Sequence, residues 1–201
     1  MSCAPGEHSM ADLLERIISA MSSLEFIGRN YPMLTEWGVL DQDVLIHSLG
    51  CSVWNLLGHD LGFIAVAECP APMTHGLDIR ADSTWFCRMK RKPVVLIEFE
   101  RFDGSRQGQQ KLDEKIRNLL EAAMRWENSP SVLILSAWSK GVVSAPDLHG
   151  LKERCRDGFR TSTGVNVVFG KNTTLLFNRF IFEIQSDRSL IITQTRSMRL
   201  L

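Results

Sequence analysis

The chain has 201 residues, of which 44% are apolar, and its 23 basic and 23 acidic residues balance to a net charge of zero. This apolar content is sufficient for one well-packed domain, so we expect a single domain over residues 1–201. The balanced charge excludes a strongly basic field over the whole molecule, and a nucleic-acid partner would have to be held by a local patch.

The cysteines and the N-terminus indicate where the protein works. Five scattered cysteines form no CxxC pair, which is typical of free thiols in a reducing cytosol. The first residues, MSCAPGEHSMADLLERI, include acidic side chains and no apolar stretch, and nowhere do 18 apolar residues follow one another. We therefore expect a cytoplasmic protein with no membrane partner.

Helical patterns come first in the chain. Residues 10 to 27 place apolar side chains at helical spacing, and Asp43 is predicted to cap a second helix that continues to residue 58. FIAVAEC, residues 63 to 69, is a short apolar run followed by two prolines, which favours a strand.

Two further strands are predicted to pair as a hairpin. LDIRADSTWF, residues 77 to 86, has the alternation of a strand, and the basic turn RMKRK follows it at residues 88 to 92. VVLIEFERF, residues 94 to 102, is strongly β-prone, with Pro93 at a strand start where its missing N–H is tolerated.

The rest of the chain alternates helix and strand. Residues 109 to 126 carry one apolar helical stripe, residues 131 to 139 form a continuous apolar strand, and residues 146 to 159 form a helix. TLLFNRFIFEIQ and SLIITQTRSM indicate two strands, or a strand and an edge. This order predicts an α/β fold with a central mixed β-sheet flanked by helices. Its core spans about residues 43–140, between an N-terminal helical segment and a C-terminal β-rich extension.

Three carboxylates in the predicted hairpin carry the candidate chemistry. Glu98 and Glu100 are two residues apart in a strand, so both project from one face, and hairpin pairing brings Asp82 near Glu98. Like charges in so apolar a run are costly unless a cation or a base neutralises them. Three converging carboxylates suit a hard cation such as Mg²⁺ or Mn²⁺.

This succession of a helix, the RADSTWF strand, a turn, the VVLIEFE strand, an amphipathic helix and a buried strand resembles the PD-(D/E)XK restriction-endonuclease-like family over residues 43 to 140. The resemblance implies that Asp82 and Glu98 match the family's acidic metal ligands, and that Glu100 stands where the family usually has a lysine. Some members place the lysine on the following helix, where Lys111 and Lys115 are the candidates. Gln110, on the same helix, could serve similarly.

The resemblance also implies a function. It predicts a metal-dependent nuclease that hydrolyses DNA phosphodiester bonds in a defence, mobile-element or repair system, as a homodimer or with a partner protein. The metal would lower the pKa of a bound water and neutralise charge on the phosphate. The basic turn could grip the phosphate backbone or be a solvated turn; its cations are Arg88, Lys90, Arg91 and Lys92.

Several alternatives stay open at this point. Glu98 and Glu100 could line the solvent face of an edge strand, paired with Arg101 or Arg117. Asp78 competes with Asp82, and Glu68 is a further candidate ligand. His47 and Cys51 have the i, i+4 spacing of metal ligands, but with no second pair a packing role is favoured over zinc.

Two other functions are compatible with the same sequence. A catalytically inactive member of the same fold could bind DNA or a protein partner, and the missing lysine is its chief support. An α/β protein with no connection to nucleic acid is the third possibility, and the neutral net charge favours it.

Overall fold

The structure is a computed structural model that describes residues 10–73 and 78–201. Cys3 and the other residues among 1–9 of the N-terminal segment used to argue against secretion lie outside these ranges, as does the first residue of the strand predicted at 77 to 86. The described cysteines are all free and buried, as the sequence predicts: Cys51, Cys69, Cys87 and Cys155.

Helices and strands alternate over most of the described chain. The α-helices are α1 (Met10–Met21), α2 (Glu25–Asn30), α3 (Asp43–Asp60), α4 (Arg106–Arg125) and α5 (Leu148–Asp157), and a π-helical turn covers Met33–Trp37. The strands are β1 (Ile64–Pro70), β2 (Arg80–Phe86), β3 (Pro93–Arg101), β4 (Val132–Lys140), β5 (Phe159–Arg160), β6 (Asn166–Val167), β7 (Thr174–Ile184) and β8 (Leu190–Arg199).

Six of these strands form one mixed sheet in the order β1-β2-β3-β4-β7-β8. The strands β1, β2 and β3 are antiparallel neighbours, β3, β4 and β7 are parallel, and β8 is antiparallel to β7. The predicted α/β class with a central mixed sheet and the predicted β2–β3 hairpin are therefore confirmed. The short strands β5 and β6, which the sequence did not predict, pair separately.

Helices cover both faces of the sheet. One apolar cluster joins α1 and α3 to the face of β3 that carries Val95, Ile97 and Phe99. A second cluster joins α4 and α5 to the opposite face, which carries Leu96. Every residue of β4 except Lys140 is buried, as expected for a strand covered on both sides.

The C-terminal strands complete the same sheet. β7 pairs with β4 along its length from Thr174 to Phe182, and β8 forms the outer edge. The segment predicted as a β-rich extension is thus continuous with the predicted core. No helix within residues 10–73 and 78–201 combines the length and the apolar character needed to cross a membrane.

Two predictions for the first half of the chain were wrong in detail. The helix expected over residues 10 to 27 breaks after Met21, where the Ser22 hydroxyl donates to the Ile18 carbonyl oxygen and the Ser23 hydroxyl accepts the Glu25 N–H. Serine side chains compete in this way with helical backbone bonds. Asp43 does not cap α3; it lies in the first turn and binds Arg101 and Lys140.

Two glycines allow α3 to lie unusually close to the sheet. A Cβ atom at Gly50 would lie 2.1 Å from Phe99 Cε1, and one at Gly58 would lie 2.7 Å from Trp85 Nε1. Because these positions lack a side chain, the helix backbone packs directly on the aromatic rings. This approach places His47, on the same helix, within reach of the end of β2.

Candidate functional site

The candidate site lies where β2 and β3 separate. Their antiparallel pairing ends at Ser83 and Ile97, and the next residue of β2 toward its start is Asp82. The Asp82 Oδ2 atom accepts the Phe99 backbone N–H at 2.6 Å. This carboxylate thus takes the place of a backbone acceptor, which explains how a residue only 5% exposed is tolerated in the sheet.

Glu98 lies beside Asp82 and is bound by a lysine from α4. The Lys115 Nζ atom lies 2.6 Å from Glu98 Oε2 and 3.9 Å from Asp82 Oδ2. Glu98 is 1% exposed and belongs to an interior strand, so the alternative of a solvated edge strand was wrong for this residue. The structure brings Asp82, Glu98 and Lys115 into one cluster.

Burial and mutual charge set the protonation of this cluster. Burial, followed by the Asp82 charge, raises the pKa of Glu98 to about 8 against the opposing effect of Lys115. Burial also raises the pKa of Asp82, but the hydrogen bond from His47, the Lys115 charge and the Phe99 N–H together hold it below its ordinary value. Burial disfavours the charged form of Lys115, yet the charges of Glu98 and Asp82 raise its pKa on balance.

His47 approaches the same cluster from α3. Its Nε2 atom lies 3.5 Å from Asp82 Oδ1, and its Nδ1 atom lies 3.6 Å from Cys51 Sγ. The hydrogen bonds with Asp82 and then with Cys51 raise the pKa of His47 to about 10. Asp82 therefore contacts a cationic side chain on each face of the sheet.

Glu100 lies on the same face of β3 as Glu98, at a cavity of about 430 Å³. It is half-buried, and its Oε1 atom accepts the Arg101 backbone N–H at 3.0 Å. The exposed Lys111 lines this cavity together with His47 and Trp138. Of the two predicted lysines, Lys115 contacts the buried carboxylates and Lys111 lines the cavity, while Gln110 is exposed.

The other predicted candidates lie elsewhere. Asp78 is exposed and binds Arg80 at 2.7 Å, and Glu68 is exposed on β1. The basic turn, residues 88 to 92, is exposed at the opposite end of the β2–β3 hairpin from Glu98. Lys92 precedes Glu98 by six positions, which is about 20 Å along a strand at about 3.3 Å per residue. The structure does not bring the basic turn to the carboxylates.

Within residues 10–73 and 78–201, one set of three ligand atoms lies close enough together to hold a metal ion, and it differs from the predicted set of carboxylates. Asp82, Glu98 and Glu100 supply only carboxylate oxygens, the donors preferred by Mg²⁺ and Mn²⁺. The structure does not gather one oxygen from each of these three side chains within 4.8 Å, and the Lys115 ammonium occupies the position between Asp82 and Glu98. His47, Cys51 and Asp82 supply one nitrogen, one sulfur and one oxygen within 4.8 Å of one another, a set better suited to Zn²⁺.

Sequence reasoning assigned His47 a packing role, and this assignment missed its contact with Asp82. The only available signal was the four-residue repeat of Asp43, His47 and Cys51, which places the three on one stripe of α3. That repeat could not show which strand these three side chains would contact in the folded protein. The backbone N–H of Phe99, which holds Asp82, carries no sequence signal at all.

Comparisons with known proteins identified no relative of this chain. Neither the family models, nor the curated proteins, nor the solved structures contain a match to this chain. The functional interpretation therefore depends on the geometry of the site.

Proposed function

We propose that the chain is a metal-dependent nuclease of the restriction-endonuclease-like type that hydrolyses DNA phosphodiester bonds. The observation that carries this proposal is the position of Lys115, which reaches from α4 to Glu98 and Asp82. It supplies the positive charge that Glu100 cannot supply on β3. The resemblance stated from the sequence had predicted a lysine on this helix.

The carboxylates would bind Mg²⁺ or Mn²⁺ through Asp82 and Glu98, with Glu100 as a third ligand or as the base. When bound, the ion activates a water molecule and neutralises charge on the phosphate. The Phe99 N–H fixes the position of the Asp82 carboxylate. Because Glu100 Oε1 accepts the Arg101 N–H, we assign Oε2 as the atom that takes a proton from the attacking water.

The two lysines have different proposed tasks. The Lys115 ammonium balances the buried carboxylates and contacts the scissile phosphate, while Lys111 binds a neighbouring phosphate from the cavity wall. One such centre cuts one strand, so cleavage of both strands requires a homodimer or a partner protein. A partner protein would also supply targeting in a defence, mobile-element or repair system.

Cleavage of supercoiled plasmid and of single-stranded DNA with Mg²⁺ or Mn²⁺ tests this function. We expect Asp82→Asn and Glu98→Gln to lower the rate of nicking by at least about 100-fold, as loss of a positioned acid–base or metal-binding group does. Asp78→Asn is the matched control, since it removes an exposed carboxylate four residues away. Nicking that survives in EDTA or in both site variants would contradict the proposal.

A catalytically inactive DNA-binding or protein-binding subunit is the second candidate. The contacts of Lys115 with Glu98 and Asp82 favour it, because an internal cation can neutralise the site with no metal. In that case the wild-type protein cuts neither DNA form, and divalent cations do not change its melting temperature. An active enzyme is instead stabilised by the cation that it binds.

A further inference from the structure

Two arginines continue the row of residues that contains Glu100. Glu100 on β3 is in register with Ala137 on β4, Ala137 with Arg179 on β7, and Arg179 with Arg196 on β8. Register partners project from the same face of a sheet, which here is the face covered by α4. The row thus places two positive charges two and three strands from Glu100, beyond the buried Ala137.

The two arginines form an unfavourable pair. They lie directly opposite each other on neighbouring strands, where like charges are destabilising. Within residues 10–73 and 78–201, neither of them has an ion pair with a carboxylate, although Arg101 binds Asp43 and Arg80 binds Asp78. An anion from outside the chain would relieve this repulsion.

Arg179 is held in a fixed position. Its Nε and Nη2 atoms donate to the buried Ser139 hydroxyl at 3.2 and 3.0 Å, and its guanidinium lies 5.6 Å from the centre of the Phe102 ring. Burial, and then the Arg196 charge, lower the pKa of Arg179. Because the Ser139 hydroxyl is uncharged, it does not neutralise the Arg179 guanidinium. The positive charge of Arg179 can therefore attract an anionic ligand. Arg196 beside it is exposed.

We propose that Arg179 and Arg196 together bind one phosphate of the DNA backbone, away from the phosphate that is cut. The assignment rests on the proposed nuclease function. Two strand spacings of about 4.8 Å separate Glu100 from Arg179, which gives about 10 Å between their backbones. This separation places the bound phosphate on a different nucleotide from the one that is cut.

This assignment moves the DNA contact from the basic turn to the row of residues that contains Glu100. Glu100 and the arginine pair then lie along one path across β3, β4, β7 and β8, on which Arg179 is the middle residue of β7. The basic turn lies at the far end of the hairpin and is not required for a strand that follows this path.

Filter binding of a short duplex DNA in EDTA, over about 50 to 200 mM salt, tests the assignment with no cleavage. Removal of one phosphate contact should lower the slope of log affinity against log salt by about 0.9. We expect Arg179→Gln/Arg196→Gln to lose about this amount, and to weaken binding equally on unrelated sequences. The exposed Arg196→Gln alone should show a loss of the same sign, with a melting temperature that is not lowered because the substitution removes the repulsion.

The matched control is Arg88→Gln/Lys90→Gln, which removes the same charge from the basic turn. We expect its salt slope to equal that of the wild type. An unchanged slope in both arginine variants, or no salt-dependent binding by the wild type, would overturn the assignment. If the wild type binds DNA but never cuts it with Mg²⁺ or Mn²⁺, the nuclease proposal fails, while the slopes still decide the arginine assignment.

Discussion

Protonation of individual residues makes the metal-free protein sensitive to pH. The folded-state pKa of Glu98 is raised to about 8 from 4.5, and that of His47 to about 10 from 6.5. A group whose pKa is higher in the folded state stabilises the fold at low pH and loses that contribution as the pH rises through the folded value. Stability should therefore fall as the pH rises from about 4.5 to about 10.

We expect the melting temperature in EDTA to be several degrees lower at about pH 9 than at about pH 6, because each kcal/mol moves it by about 2–4 °C in a domain of this size. Glu98→Gln should flatten the part of this dependence below about pH 8, since it removes the titrating carboxyl. A wild-type melting temperature that rises over this range, or an equal slope in the variant, would contradict the assignment.

Lys115 should contribute to stability in a way that Lys111 does not. Lys115→Met leaves the buried Asp82 and Glu98 with no shared cation, and we expect a loss of about 1.5–3 kcal/mol in EDTA. Mg²⁺ should recover part of this loss, because it supplies the missing charge. The control Lys111→Met, one turn earlier on the exposed side, should change stability by less than about 0.5 kcal/mol. Denaturant unfolding with and without metal measures both, and equal losses would contradict this role.

At the scale of elements, the close contact of α3 with β3 reverses an ordinary rule. A protein with glycine inside a helix is usually less stable, by about 0.5–1 kcal/mol, than the same protein with alanine at that position. At Gly50 a Cβ would lie 2.1 Å from Phe99, so we expect Gly50→Ala to destabilise the fold by about 1–3 kcal/mol through overpacking.

The same substitution should also affect the site, because it moves α3 and hence His47 away from Asp82. Ser48→Ala, on the exposed side of α3, is the control and should leave stability within about 0.5 kcal/mol. Thermal unfolding of the two variants checks the prediction. A stabilised Gly50→Ala protein would show that the helix and strand are less tightly packed than the structure indicates.

For the whole molecule, the sheet requires its C-terminal strands. Removing residues 141–201 would leave β4, whose residues Val132 to Ser139 are buried, as an exposed apolar edge. Such an edge pairs with other chains and aggregates. We expect a fragment of residues 1–140 to precipitate or to lack a cooperative melting transition, in contrast to the full chain. A soluble fragment with cooperative unfolding would contradict this.

The sequence by itself determined the features that depend on local periodicity. The alternation of β3 placed Glu98 and Glu100 on one face, and the apolar stripe at residues 109 to 126 predicted the helix α4. The continuous apolar run of β4 indicated burial on both faces. The β2–β3 hairpin also followed from its turn. These features need only the spacing of residues along one or two neighbouring elements.

Only the tertiary structure decided which distant groups meet. The separation of β2 from β3 beside Asp82, the reach of Lys115 to Glu98 and the approach of His47 from α3 depend on how helices pack on the sheet. The pairing of Arg179 with Arg196 depends on strand order and register. Such contacts join residues far apart in the chain, and periodicity specifies the face that a residue occupies but not its partner across that face.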